Sequence, residues 1–391
     1  MKQTAHLRSG WMLVVPLLSF IAVLFVVPIA TMLWKGIYDA EVADLLPATT
    51  RSLALWSDEG KLPPAASLAA LADDLRTLDR SGRVAELSFR MNRKRHGFRD
   101  LIERSAIRLR DEGTKLEDID SRWSDPVSWQ VLKQATEVIT PDHLLNALDL
   151  DRMPDGSINR QDEGRRIYLR LLGRTILVAA IVTCICVVLG YPFAHILAAA
   201  KGKRRTVLLF VVLLPFWTSL LVRTTAWIVL LQRQGVINEL LVSAGIIADR
   251  HRFALIYNFS GTIITMVYVL LPFFVLPLQA VMRGIPGQYV KAAASLGGSP
   301  IRVFQRIYLP MTMPGVAAGA SLVFILSLGY YVTPALVGGR TGQLISNQIA
   351  FHIQSSLNWG LAAALGTILL ALVAAMCLLL SRFAGQGRIT P

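Results

Sequence analysis

The chain has 391 residues, 53% hydrophobic and 17% charged, with a formal charge of +14. A soluble domain carries about 25% charged residues, so the composition excludes an ordinary soluble enzyme and points to a membrane protein. The three cysteines, Cys184, Cys186 and Cys377, all lie in apolar runs, which excludes a disulfide framework or a cysteine metal site.

The first apolar run, WMLVVPLLSFIAVLFVVPIATMLW, covers residues 11–34. It is longer than the roughly 7–15 residues of a signal-peptide core, and no small-residue cleavage site follows it. It is therefore expected to be a retained transmembrane helix 1, preceded by a cytoplasmic stretch at 1–10.

Residues 35–170 differ in kind, holding 24 of the 26 acidic residues and 22 of the 40 basic ones. PPAASLAALADDLRTLDRSG and the segment from Ala85 to Arg110 show helical periodicity. This predicts a mostly helical insert domain outside the membrane, between helices 1 and 2. The basic cluster RMNRKRH at 90–96 reads as a solvated helix face, not a nucleic-acid site. In DLDRMPDGSINRQDE at 149–163, Asp151, Asp155 and Asp162 approach the spacing of a calcium-binding EF-hand loop. Met153 stands at a ligand position and Pro154 interrupts the loop, so an Asp-Gly turn is the preferred reading and no metal is expected.

Five further runs lie near 174–200, 206–231, 253–281, 313–337 and 359–381. Each is long enough for the roughly 20 residues a membrane crossing takes. The fold class expected is all-α integral membrane, with six transmembrane helices, a core at 171–385 and a short tail at 386–391. Twelve basic residues share one side: Lys2, Arg8, the Lys201–Arg205 cluster, Arg283, Lys291, Arg302, Arg306, Arg382 and Arg388. Only Arg233, Arg250, Arg252 and Arg340 occupy the short loops of the other. Short-loop charge bias sets orientation, which predicts both termini in the cytoplasm. The excess positive charge then reflects loops at an anionic membrane face.

Within the spans, Arg174 and His195 sit near helix ends, where long side chains reach the interface. Arg223 lies deeper in its span, which allows either a gating or pathway role or a structural pairing with backbone carbonyls. Trp217, Trp227, Tyr268, Tyr330 and Tyr331 are candidates to line a cation path, because ring faces attract ammonium groups. Pro215, Pro272 and Pro334 are expected to kink their spans.

The loop at 283–310 carries the strongest local pattern. Ile285, Tyr289, Ala292, Ala293 and Leu296 recur at helical spacing. Gly297-Gly298 ends that helix, and Ser299-Pro300 supplies an N-cap and a first-turn proline for a second one. Its apolar positions are Ile301, Phe304 and Ile307, and Pro310 marks entry to the fifth span. Two short helices joined rigidly to a span make a docking knob.

These residues resemble the EAA motif of binding-protein-dependent ABC importer permeases. Ala292-Ala293 stand three residues before Gly297, followed at the required distance by Ile307, Leu309 and Pro310. Lys291 occupies the place of the motif's glutamate, so a salt link made through that acid is not expected here. LPFWTSLLVRTTAWIVLL at 214–231 and YVTPALVGG at 331–339 resemble the spermidine/putrescine-type subfamily. The resemblance covers about 240 residues and stops short of the insert.

What the resemblance implies is a non-catalytic permease subunit in a bacterial inner membrane, translocating a small cationic solute. Its implied partners are two copies of a cytoplasmic ABC ATPase holding ATP and magnesium, a second six-helix permease, a periplasmic solute-binding protein and membrane lipid. The insert is expected to help receive the binding protein. No phosphate-cradling Gly-rich loop occurs and no Asp or Glu lies in any span, so this chain shows no energy source of its own. The alternatives are an importer permease for an opine or another amino-acid derivative, a stand-alone secondary transporter, and a membrane-anchored sensor.

Overall fold

The computed structural model describes residues 14–57, 60–111 and 113–385. Lys2, Arg8, Arg388 and the segments 1–10 and 386–391 lie outside the described residues, as does the side chain of Arg382. The chain divides into two compact units: one runs to Arg166 and takes in Asn358–Ala364, and the other holds the remainder from Ile167.

The first unit opens with α1 (Val14–Lys35), an apolar helix long enough to cross a membrane. Among the described residues, the helices of six or more residues in the insert are α2 (Pro47–Leu53), α3 (Ala65–Arg80), α4 (Val84–Lys94), α5 (Phe98–Arg108), α6 (Pro126–Thr136) and α7 (Asp142–Ala147). Proline opens α2 and α6, where its missing N–H costs nothing. Asp125 caps α6 by accepting from Val127 N, and the distant Asp74 carboxylate accepts from Thr49 N at 2.8 Å inside α2. Ala85–Arg110 forms two helices, because Gly97 turns the chain at φ +92° and Asn92 accepts from its amide. Their apolar faces close over Trp123 and Trp129, both fully buried. The indole N–H of Trp123 donates to Ser105 Oγ and that of Trp129 to the Trp123 carbonyl, each at 2.8 Å. Burying those rings therefore strands no polar atom.

The basic cluster at 90–96 is not simply a solvated face. Arg90 bridges Glu41 and Glu86 at 3.3 and 2.8 Å, Arg93 holds Glu41 at 2.9 Å, and Lys94 holds Asp142 at 2.9 Å. These side chains are half-buried, and they tie α4 to the start of the insert and to α7. Residues 149–163 form a hairpin of β1 (Leu150–Arg152) and β2 (Ile158–Arg160), with Gly156 at φ +82° in its turn. Asp155 Oδ1 accepts from the Ser157 amide and hydroxyl, an Asx turn. Strand pairing sets Asp151 opposite Asn159. Residues 149–163 thus form an Asp-Gly turn in a hairpin, and Asp151, Asp155 and Asp162 do not converge as a group among the described residues.

The second unit holds α8 (Tyr168–Ala199), α9 (Gly202–Trp217), α10 (Leu220–Leu231), α11 (Val236–Ser243), α12 (Phe259–Gly284), α13 (Gly287–Ser295), α14 (Pro300–Leu328), α15 (Val332–Val337) and α16 (Ile345–Gln354). The last helix, α17 (Trp359–Gly385), begins in the first unit and continues in the second. Two expected spans need correction. The third, expected to kink at Pro215, is broken outright: α9 and the segment from Leu220 to Ser243 meet at 100°. The fifth begins at Pro300 and ends at Leu328, with Gly329 as its C-cap. Apolar residues 332–337 then form the separate short α15, a change of direction that hydropathy does not register.

Helix α12 is the centre of this unit. Its Phe274 ring sits in a slot between α8 and α14. A Cβ on Gly190 would lie 2.5 Å from Phe274 Cδ1, and one on Gly319 would lie 2.9 Å from Phe274 Cδ2 and from the Phe274 carbonyl oxygen. One turn further, a Cβ on Gly315 would meet Val281 Cβ at 2.9 Å.

Two outcomes follow from these contacts. Gly319→Ala should cost about 1–3 kcal/mol through overpacking, seen as a lower melting temperature in detergent, whereas Gly329→Ala, with no atom within 4 Å, should leave it unchanged. In the insert, burial opposes ionisation of Asp39, but the His143 hydrogen bond and the Lys94 charge outweigh it and hold the carboxyl at about 2. A hydrogen bond from Arg122 does the same for Asp120, also at about 2. Both carboxyls are depressed, so their contribution is complete above about pH 4 and is lost as pH falls toward 2. Tryptophan emission should redden over that interval, and Asp120→Asn should flatten the change.

Candidate functional site

The corner between α12 and α14 follows from its local sequence. Helix α13 ends in a Schellman motif: Gly298 N donates to the Ala293 carbonyl at 3.1 Å and Gly297 N to that of Ala294 at 3.0 Å. Gly297 sits at φ +84°, a left-handed conformation. Gly298 is needed for space, since a Cβ there would fall 2.8 Å from both Ala293 O and Val303 Cγ2. Ser299 follows as N-cap and Pro300 opens α14.

The second element of the knob is not a separate short helix. It runs without a stop into the span, through a π-turn at Phe304–Tyr308. Leu309 N donates five residues back to the Phe304 carbonyl, and Pro310, which has no N–H, follows immediately. A wide turn there lets the helix pass a proline without ending. Ile307 and Leu309 are half-buried on this turn.

The corner leaves its apolar residues outside. Leu296 is 89% exposed, Ile301 72% and Tyr289 52%. Lys291 and Ala292 are also exposed, and Ala293 is half-buried. The tip is thus an apolar crown with a cation beside it: Tyr289, Lys291 and Leu296 come from α13 and its C-cap, and Ile301 from the first turn of α14, which continues through the bundle.

Two contacts hold the base of this lever to α8. Tyr191 Oη and Thr312 Oγ1 are 3.0 Å apart, as are His195 Nδ1 and Tyr308 Oη. The Tyr191 ring also meets Phe304 edge-on at 6.1 Å. Sequence reasoning gave these residues no role. Their available signal was the spacing of Tyr191 and His195, i and i+4, which puts two hydrogen-bonding rings on one helix face.

The 100° break explains Arg223. Helix α9 stops at Trp217, and Ser219 caps α10 by accepting from Val222 N. The Pro215 carbonyl near the end of α9 accepts from Arg223 Nη1 at 2.5 Å and from the Thr218 hydroxyl at 3.2 Å. A cation at the negative end of a helix is favourable, and the freed carbonyl keeps a partner. Arg223 therefore pairs with backbone, while its Nε is buried without a hydrogen bond.

Of the aromatic candidates, the fold brings Trp227 and Tyr268 together, edge to face at 5.2 Å between α10 and α12. Trp217 stacks edge-on against Phe210 at 4.6 Å, within α9 itself. Tyr330 and Tyr331 contribute main-chain carbonyls, which accept from Ser346 Oγ at 2.8 Å and Asn347 Nδ2 at 2.9 Å. Those bonds position α16.

Residues 187–386 match the family model described as binding-protein-dependent transport system inner membrane component. The chain belongs to that family. The permease is 37% identical over 213 residues to the spermidine/putrescine transport system permease protein PotB of Escherichia coli K12, covering 54% of this chain and 76% of that one. PotB of Haemophilus influenzae is 36% identical over 210 residues, covering 53% and 73%. The molybdenum transport system permease protein ModB of Mycobacterium bovis is 32% identical over 214 residues, covering 54% and 76%. The matched span contains the corner, the break and the Trp227–Tyr268 pair.

The two glycines of the corner should differ in tolerance. Gly298→Val forces atoms apart and should cost about 2 kcal/mol or more. Gly297→Asn, a residue that adopts the left-handed region, should cost under about 1 kcal/mol. Melting curves of the purified permease variants read the difference.

Proposed function

We propose that this permease is the membrane-spanning, non-catalytic subunit of an ATP-driven importer, and that its solute is a polyamine such as spermidine or putrescine. The observation that carries the machine is the exposed crown of Leu296, Ile301 and Tyr289, with Ile301 on α14 itself and the other two joined to it through the hydrogen-bonded Gly297-Gly298 turn. A membrane protein has no reason to hold three large apolar side chains in water unless another protein covers them. In this reading a cytoplasmic ATPase covers them, two copies serving the assembly, and ATP and magnesium are bound there. A second six-helix permease completes the pathway, and an extracytoplasmic solute-binding protein delivers the solute to it. The termini then lie in the cytoplasm, in keeping with the charge bias of the short loops.

The identity with the PotB proteins supports the choice of solute. The paired rings of Trp227 and Tyr268 supply π faces suited to an ammonium group without a fixed negative charge. Weak, distributed attraction fits a pathway that must release its cation; the carboxylate of the broken third span, Glu239, is exposed and is held by Arg252 at 2.8 Å. Recognition then rests mainly with the solute-binding protein, and the insert helps to receive it.

Gly297→Asp tests the coupling. The substitution puts a carboxylate on the docking tip while keeping a residue compatible with the left-handed turn. Uptake of radiolabelled spermidine should fall to background while the amount of permease in the membrane is unchanged. Uptake at the unsubstituted rate would exclude the corner as the coupling element.

A further inference from the structure

Outside the corner and the pathway, one face of α8 carries a pattern that the transport reading does not use. Arg170 and Arg174 stand one turn apart at the start of the helix. Arg170 is exposed and Arg174 half-buried. Arg174 Nη1 donates to the Arg340 carbonyl at 3.4 Å, which brings a third, exposed arginine to the same edge.

Among the described residues no carboxylate pairs with these charges. The second unit contains only Glu239 and Asp249, and Arg252 holds both, at 2.8 and 2.7 Å. Directly below the arginines, the exposed positions of α8 continue at helical spacing as Leu177, Ala180, Cys184 and Val188. All four are apolar, and Leu177 and Val188 are 53% and 64% exposed. The face is cationic at the helix end and apolar along the span, the order of charge and hydrocarbon in a phospholipid.

We propose that this face of α8 is a binding site for an anionic phospholipid. Arg170 and Arg174, with Arg340 beside them, hold its phosphate, and its acyl chain runs along Leu177 to Val188. Guanidinium groups suit this task, because their planar fork matches phosphate oxygens and sheds water more easily than an ammonium. The site is independent of which solute the permease carries.

The test uses the full chain in nanodiscs of mixed phosphatidylglycerol and phosphatidylethanolamine, followed by delipidation and native mass spectrometry. The unsubstituted protein should retain phosphatidylglycerol, and Arg170→Ala with Arg174→Ala should reduce retention about tenfold. Arg170→Lys with Arg174→Lys should retain an intermediate amount. Equal retention by the alanine variant would overturn the proposal. Should that variant not fold, Arg170→Gln alone, on the exposed surface, gives the same reading with a smaller decrease. A photo-crosslinker in place of Leu177 separates lipid from protein: capture of phospholipid supports the site, and capture of a neighbouring subunit overturns it. None of these readouts requires transport, so a failure here is distinct from a failure of the polyamine assignment.

Discussion

The ring of Phe274 sits where two glycines leave room for it, and the membrane bundle is organised around that fit. Helices in lipid gain nothing by hiding apolar surface from one another, because the surrounding chains are as apolar as they are. They associate through close packing, which requires small residues at the crossings. Gly190 on α8 and Gly319 on α14 admit the Phe274 ring from opposite sides, and Gly315 lets α14 approach Val281. Three helices are thereby packed closely against one another.

That close packing makes the corner mechanically useful. Helix α14 extends from Pro300 at the exposed tip to Leu328, and its one irregularity is a π-turn at Phe304–Tyr308. The turn solves a backbone problem at Pro310, and it also turns Tyr308 toward His195. A push on Ile301 therefore reaches the core through a continuous helix and through its clasp to α8, and one on Leu296 passes first through the hydrogen-bonded glycine turn. The same requirement, that backbone polar groups in lipid find internal partners, accounts for Arg223. The 100° break frees the Pro215 carbonyl, and a guanidinium from the next helix takes it up.

The insert obeys different rules, because water surrounds it. Its stability combines a packed core around Trp123 and Trp129 with ion pairs that bind α4 to α7 and to the insert's first residues. Half-buried pairs of this kind contribute more than fully exposed ones, which are worth little. They also explain how a region with nearly all the acidic residues and about half of the basic ones can be compact: the charges are spent on one another. The arginines of α8 at Arg170 and Arg174 differ, having no acid within their own unit to answer them.

Much of this was legible in the sequence, for reasons that are local. A run of about 20 apolar residues can settle only in a membrane, so the number of spans and the place of the insert followed from hydropathy. The Gly297-Gly298-Ser299-Pro300 corner was legible because a left-handed turn, a capping residue and a first-turn proline are properties of a few adjacent residues. The rest depended on residues far apart in the chain. Tyr191 meets Thr312 across 121 positions and Lys94 meets Asp142 across 48, and no periodicity announces either partner. For that reason the pairing of 90–96 is not legible in the sequence, Pro215 announces a kink in the third span but not its 100° size, and hydropathy sets the fifth span too far along the chain. Sequence by itself determined that the chain is a multi-span membrane protein with a glycine corner between two spans, because burial in lipid and backbone conformation are local demands. Tertiary structure alone decided which groups satisfy Arg223, Tyr308 and Lys94, because a polar side chain's role depends on what packing brings within about 3 Å of it.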